Sequence, residues 1–159
     1  MLRIYERPGV AEACLRLQDD AGADVILVLM TAFAAQRGIP LSSSDLDAMV
    51  AHCRPWRETV IDRLRQLRTD LKTGPEPAPN DATETLRAQI KASELCAERI
   101  ENDMLAAWLQ RQPTTSAPPQ NTPVIELHRQ IATLLALRGD TGPAIAASID
   151  VIVAASAAL

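Results

Sequence analysis

Apolar residues recur at spacings of three and four along this chain, and no segment alternates with the period of a strand. Trp56, Val60, Leu64, Leu67 and Leu71 are the clearest case. A helix turns about 100° per residue, so these five line one stripe. A strand would need apolar residues at every second position. The pattern points to an all-α fold, a helical bundle that buries such stripes against one another.

Prolines mark where the helices must stop, because proline lacks a backbone donor and clashes with the preceding turn. Pro75, Pro77 and Pro79 crowd one short stretch, and Pro113, Pro118, Pro119 and Pro123 bracket a polar one. Both read as Pro-rich linkers, 74–80 and 113–123. They leave a compact four-helix block (1–73), a long amphipathic middle helix (81–112) and a linked, Ala-rich C-terminal helical hairpin (124–159). In the block, helices are predicted from Pro8 to Asp20, from Asp24 to Arg37, from a Ser44 cap to just before Pro55, and from Pro55 to Lys72. Gly22 and Gly38 suit the ends of the first two, and Asp24 suits the cap of the second. The middle helix, capped by Asp81 or Thr83, carries a loose stripe through Leu86, Ile90, Leu95, Ile100, Met104, Trp108 and Leu109. It returns over the block or pairs with a second copy of itself. The hairpin's first helix runs through Leu137 to Gly139, and Pro143 starts its second.

Composition narrows the function. Twenty acidic residues against 16 basic give a net charge of −4. Nucleic-acid binders and anionic-membrane binders carry a basic excess instead. Tyr5, Phe33, Trp56 and Trp108 are the aromatics, too few for a base-stacking platform. Cys14, Cys53 and Cys96 are odd in number, lack a C-x-x-C spacing and sit among apolar residues, so each is expected to be buried. The N-terminus shows no signal-peptide core, and the charge-free run from Val25 to Gln36 falls short of the roughly 20 residues a membrane span needs. A cytoplasmic protein without a membrane segment is expected.

Several local motifs occur together. They are Tyr5-x-x-Pro8-Gly9-Val10, Ala13-Cys14-Leu15-x-Leu17-Gln18-Asp19, Gly22-Ala23-Asp24-Val25, Arg54-Pro55-Trp56-Arg57, the Leu64/Leu67/Arg68 helix and Glu94-Leu95-x-Ala97-Glu98-Arg99. In combination they resemble a family of small uncharacterised proteobacterial helical proteins, a domain of unknown function, over roughly residues 5–105. The resemblance implies a helical, cytoplasmic protein and brings no activity, cofactor or catalytic residue. The part after Pro113 lies outside it and reads as an extension.

The helix after Pro55 is polarised. Arg57, Arg65, Arg68 and Lys72 fall along one edge of its apolar stripe, and Glu58, Asp62 and Asp70 fall toward the other. A basic edge can dock an acidic partner helix, or contact the phosphates of an RNA. It can equally be a solvated flank whose arginine stems lie on apolar surface. Trp56 and Trp108 suit either core packing or an interface anchor. These six residues are the candidate binding set.

An alternative site is the Asp19/Asp20/Asp24 corner, whose carboxylates could hold a divalent metal. Gly22 ends the helix between them, so the plain reading is a helix–helix corner capped by Asp24. His52 and His128 have no metal-ligand spacing. No nucleophile elbow, P-loop or dinucleotide loop is present. Thr141–Leu159 carries one charge, Asp150, which would cost about 2.5–3.5 kcal/mol at a bilayer centre, so this segment reads as a packing helix.

The sequence thus predicts no catalytic residue and no cofactor. The leading expectation is a non-enzymatic cytoplasmic protein-interaction or adaptor module, with a protein partner or self-association. The alternative is a divalent-metal-dependent ligand-binding protein or enzyme using the aspartate corner.

Overall fold

The computed structural model of the protein describes residues 2–112, 124–136 and 143–157. Eight α-helices occupy them: α1 (Leu2–Tyr5), α2 (Val10–Ala21), α3 (Val25–Gln36), α4 (Ser43–Trp56), α5 (Asp62–Asp70), α6 (Asp81–Leu109), α7 (Val124–Ala136) and α8 (Pro143–Ala157). A π-helical turn, Arg57–Ile61, lies between α4 and α5. Among the described residues there is no strand, and the class is all-α. The expected linker 113–123, and Leu137 and Gly139, lie outside the described residues.

The chain forms two compact units. One comprises Met1–Val50 with Ala106–Leu159, and the other is Ala51–Leu105. This division differs from a self-contained block over 1–73 followed by a separate hairpin over 124–159.

The reason is the core of the first unit. Ile4, Val10, Cys14 and Leu17 of the N-terminal helices pack in one cluster with Val28 and Leu29 of α3. The same cluster holds Leu127, Ile131 and Leu135 of α7 and Ile145, Ile149 and Ile152 of α8. Helix α3 is apolar nearly all round, with Leu27, Val28, Leu29 and Met30 buried in succession. Such a helix must be covered on every side, and α7 and α8 both pack against it. The C-terminal segment is therefore core, not an appendage.

Polar ties reinforce this packing. Gln36 Nε2 donates to the Ser156 carbonyl at 2.9 Å, and Gln130 Nε2 donates to the Leu41 carbonyl at 2.7 Å. Asp150 on α8 meets His128 on α7, with 3.4 Å between Oδ1 and Nε2. At the start of α2, Gly9 adopts φ 81°, and a Cβ there would sit 3.5 Å from Val151.

Helix boundaries follow local side-chain chemistry. Asp24 caps α3 through Oδ1, which accepts from the amides of Ile26 and Leu27 at 3.1 and 3.2 Å. The cap of α4 is Ser42, not Ser44. Ser42 Oγ accepts from the Asp45 amide at 3.2 Å, and Asp45 Oδ2 accepts from the Ser42 amide at 2.8 Å. That reciprocal pair is a capping box with Asp in the third position. The cap of α6 is Asn80, not Asp81 or Thr83. Its Oδ1 accepts from the Thr83 amide at 2.9 Å, and Thr83 Oγ1 accepts from the Asn80 amide at 2.8 Å.

Pro55 does not end a helix. It lies inside α4, and the π turn follows directly after Trp56. Proline leaves the carbonyl four residues before it without its helical donor. In the turn that follows, the Asp62 amide donates five residues back to the Arg57 carbonyl, the wider π bond. The Thr59 hydroxyl donates back to the Pro55 carbonyl.

Candidate functional site

The second unit is a helical hairpin whose facing surfaces carry charge. The π turn sets this up. A turn of that kind spends an extra residue, so the phase of the helix shifts after it. Arg57 and Ile61 are buried, whereas Val60 is half-buried and Leu67 is 48% exposed. The stripe predicted from Trp56 to Leu71 is thus rotated toward the surface. The basic edge turns toward α6 instead.

Arg57 and Glu101 form a bidentate pair, Nε to Oε1 at 3.0 Å and Nη2 to Oε2 at 2.6 Å. Both residues are buried. About two helical turns further on, Arg65 reaches two carboxylates, Glu94 Oε1 and Glu98 Oε1, each at 2.9 Å. Arg68 donates through Nε to Glu94 Oε2 at 2.5 Å. The result is a ladder of three arginines against three glutamates along the hairpin. Trp56 adds a neutral rung, with Nε1 donating to the Ala97 carbonyl at 3.0 Å.

The ladder sets its carboxylates apart. Burial alone would raise Glu94, but hydrogen bonds from Arg68 and Arg65, with their positive charge, hold it below the ordinary range. Burial wins at Glu98 and raises it, against the attraction of Arg65.

The other side of α6 is different in kind. At about 100° per residue, every charged residue of α6 from Asp81 to Asp103 falls within roughly 200° of arc. The remaining arc carries Ala82, Leu86, Gln89, Ser93, Cys96 and Ile100, all exposed. Their spacings are 4, 3, 4, 3 and 4, the repeat of a coiled-coil seam. Leu86 is 47% exposed and Ile100 43%. Cys96 is a free, exposed thiol, contrary to the burial expected of all three cysteines, while Cys14 and Cys53 are buried. Burial pushes the Cys14 thiol up to about 11.

Of the candidate binding residues, the structure brings Trp56, Arg57, Arg65 and Arg68 together on the hairpin, engaged with α6. Lys72 is exposed just beyond α5, and Trp108 is half-buried near the end of α6. The aspartates of the alternative site have separate roles. Asp19 and Asp20 are exposed on the last turn of α2, Gly22 ends that helix at φ 59°, and Asp24 is buried as the α3 cap. The seam of α6 was missed in the sequence because Ala82, Gln89, Ser93 and Cys96 do not stand out as an apolar stripe. The signal that could have found it is the absence of charge from one arc of a strongly charged helix.

A family model described as "Protein of unknown function (DUF2390)" matches residues 1–105. The chain belongs to that family. The matched span holds the whole second unit, with both sides of its ladder, but only part of the first unit. Helices α7 and α8, which complete the first core, lie beyond it. No curated protein and no solved structure matches the chain. No helix of the described residues is long and apolar enough to cross a membrane.

Proposed function

We propose that this protein is a non-enzymatic interaction module and that α6 is its recognition element. The observation that carries this reading is the exposed, charge-free seam Ala82–Ile100 on a helix that is otherwise densely charged. A solvated helix face is normally charged or polar throughout. An exposed line with coiled-coil spacing suits burial against another helix.

The ladder supports the same reading. Bidentate arginine–carboxylate pairs fix geometry as well as contributing energy. Arg57, Arg65 and Arg68 hold α6 in one rotational setting, so the seam is presented rather than free to turn inward. Those arginines are also engaged with glutamates, which weighs against a phosphate or RNA site on the same edge. Free thiols suit a reducing, cytoplasmic setting.

The test compares capture from native lysate by the full chain and by an Ile100→Glu variant, with bound proteins identified by mass. The reading expects a stoichiometric protein on the wild-type chain, lost on the variant, with both melting at the same temperature. Equal capture by both chains, or none by either, contradicts it.

A further inference from the structure

We propose that α5 has two registers against α6, the ionic one described above and an apolar one, and that loss of charge at Glu94 and Glu98 moves the hairpin from the first to the second.

Two stripes that lie one residue apart on the helix make this possible. Ile61, Arg65 and Arg68 form the inward stripe, with Ile61 buried and both arginines bonded to α6. Val60, Leu64 and Leu67 repeat the same spacing one position earlier, and all three are apolar. Yet Val60 and Leu64 are only half-buried, and Leu67 is 48% exposed.

The π turn holds the residue that a shift between the stripes needs. The Asp62 amide donates to the Arg57 carbonyl, five residues back. An α-helical turn would return it to Glu58 instead, and each later residue would move on by one site. Val60, Leu64 and Leu67 would then stand where Ile61, Arg65 and Arg68 stand now. The surplus residue passes into the turn between α5 and α6. Arg57 opens the π turn, so its fork with Glu101 stays in place as the pivot.

Little besides the ladder fixes α5. None of its residues is buried. Replacing a paired charge by apolar packing is often neutral or stabilising, so the two registers lie close in free energy. Charge on α6 selects between them. Glu94 is buried, and in the apolar register its carboxylate would face leucines in place of its arginine donors. An uncharged side chain there costs far less. The charged groups acting on Glu94 and Glu98 are Arg65 and Arg68 of α5, Arg57 of the π turn, and each other. As pH falls, Glu98, raised by burial, neutralises before Glu94, which its arginines hold low. The shift withdraws Leu67 from solvent and turns Arg65 and Arg68 outward.

The test uses the full chain carrying Cys96→Ser and Leu67→Cys, alkylated at neutral pH and read by mass. The introduced thiol reports on the register. Cys53, buried on α4, reports on whether the hairpin is folded. With the glutamates intact, position 67 should label fast and Cys53 slowly. Adding Glu94→Gln with Glu98→Gln should slow labelling at 67 by about tenfold or more, with Cys53 still protected. Deleting Thr59 removes the extra residue and leaves a regular helix in the ionic register. In that chain the two glutamine substitutions should no longer protect position 67. Fast labelling at 67 in the glutamine variant overturns the proposal, whether Cys53 stays protected or not, because the apolar register must hold the hairpin together. Protection that survives the deletion overturns it, as does a deletion chain in which Cys53 becomes reactive.

Discussion

Arg57 and Glu101 meet in a two-bond fork with both side chains almost wholly removed from solvent. A buried pair of this kind is a weak source of net stability, since desolvation offsets most of the attraction. It is a strong source of specificity in one direction. Removing one partner takes two charge-assisted hydrogen bonds from the other inside a low-dielectric site.

That asymmetry gives the first prediction. Glu101→Gln should destabilise the protein by about 3–5 kcal/mol in urea unfolding. The double replacement Arg57→Met with Glu101→Leu should recover most of that loss. A double variant as unstable as the single one would show that the fork contributes more than geometry.

The upper rungs respond to pH with opposite signs. Glu94 is held below its ordinary value of 4.5, so its contribution is present above that pH and lost as pH falls through the lower folded value. Glu98 is raised, so its contribution is present below 4.5 and lost as pH rises through the higher folded value. At neutral pH, Glu94→Gln should lower stability and flatten the acid limb of the stability–pH curve. Glu98→Gln should leave neutral stability unchanged or raise it. Melting temperatures from pH 3 to about 8 separate the two.

Residues 1–105, the span matched by the family, should not fold cooperatively alone in this chain. Without α7 and α8, Val28 and Leu29 lose the side chains that cover them. Calorimetry of that fragment should show no sharp transition. In the full chain, Ile149→Ala should cost about 2–5 kcal/mol, as for other buried large-to-small changes.

Gly9→Ala probes the start of α2. The Cβ itself would meet Val151 at an ordinary 3.5 Å, so the penalty is conformational, from φ 81°. A loss of about 1–2 kcal/mol is expected for an L-residue held in the left-handed region. A neutral result would mean that the α1–α2 corner relaxes freely.

Local chemistry was readable in the sequence where neighbours decide it. Asp24 and Gly22 mark a helix corner, and 100° steps put Arg57, Arg65 and Arg68 on one edge. The long middle helix and the all-α class follow from periodicity and prolines. What could not be read depends on pairing across long separations. Arg57 meets Glu101 forty-four positions away, and the cluster around Val28 is closed by residues beyond Leu127. The register after Pro55 was also hidden. One extra residue in a π turn rotates everything behind it, so a stripe counted at 3.6 residues per turn names Val60 and Leu67 where Arg57 and Ile61 are buried.

The central claim is that the α6 seam is covered by a protein. Cys96 reports on it directly, because it lies in the seam and is exposed, while Cys14 and Cys53 are buried. The decisive measurement is the rate of Cys96 alkylation, read by mass, in the dilute free chain and in the assembled state, whether concentrated chain or captured complex. The account predicts fast single labelling of the free chain and a rate at least tenfold slower on assembly. Equal rates in both states would contradict it.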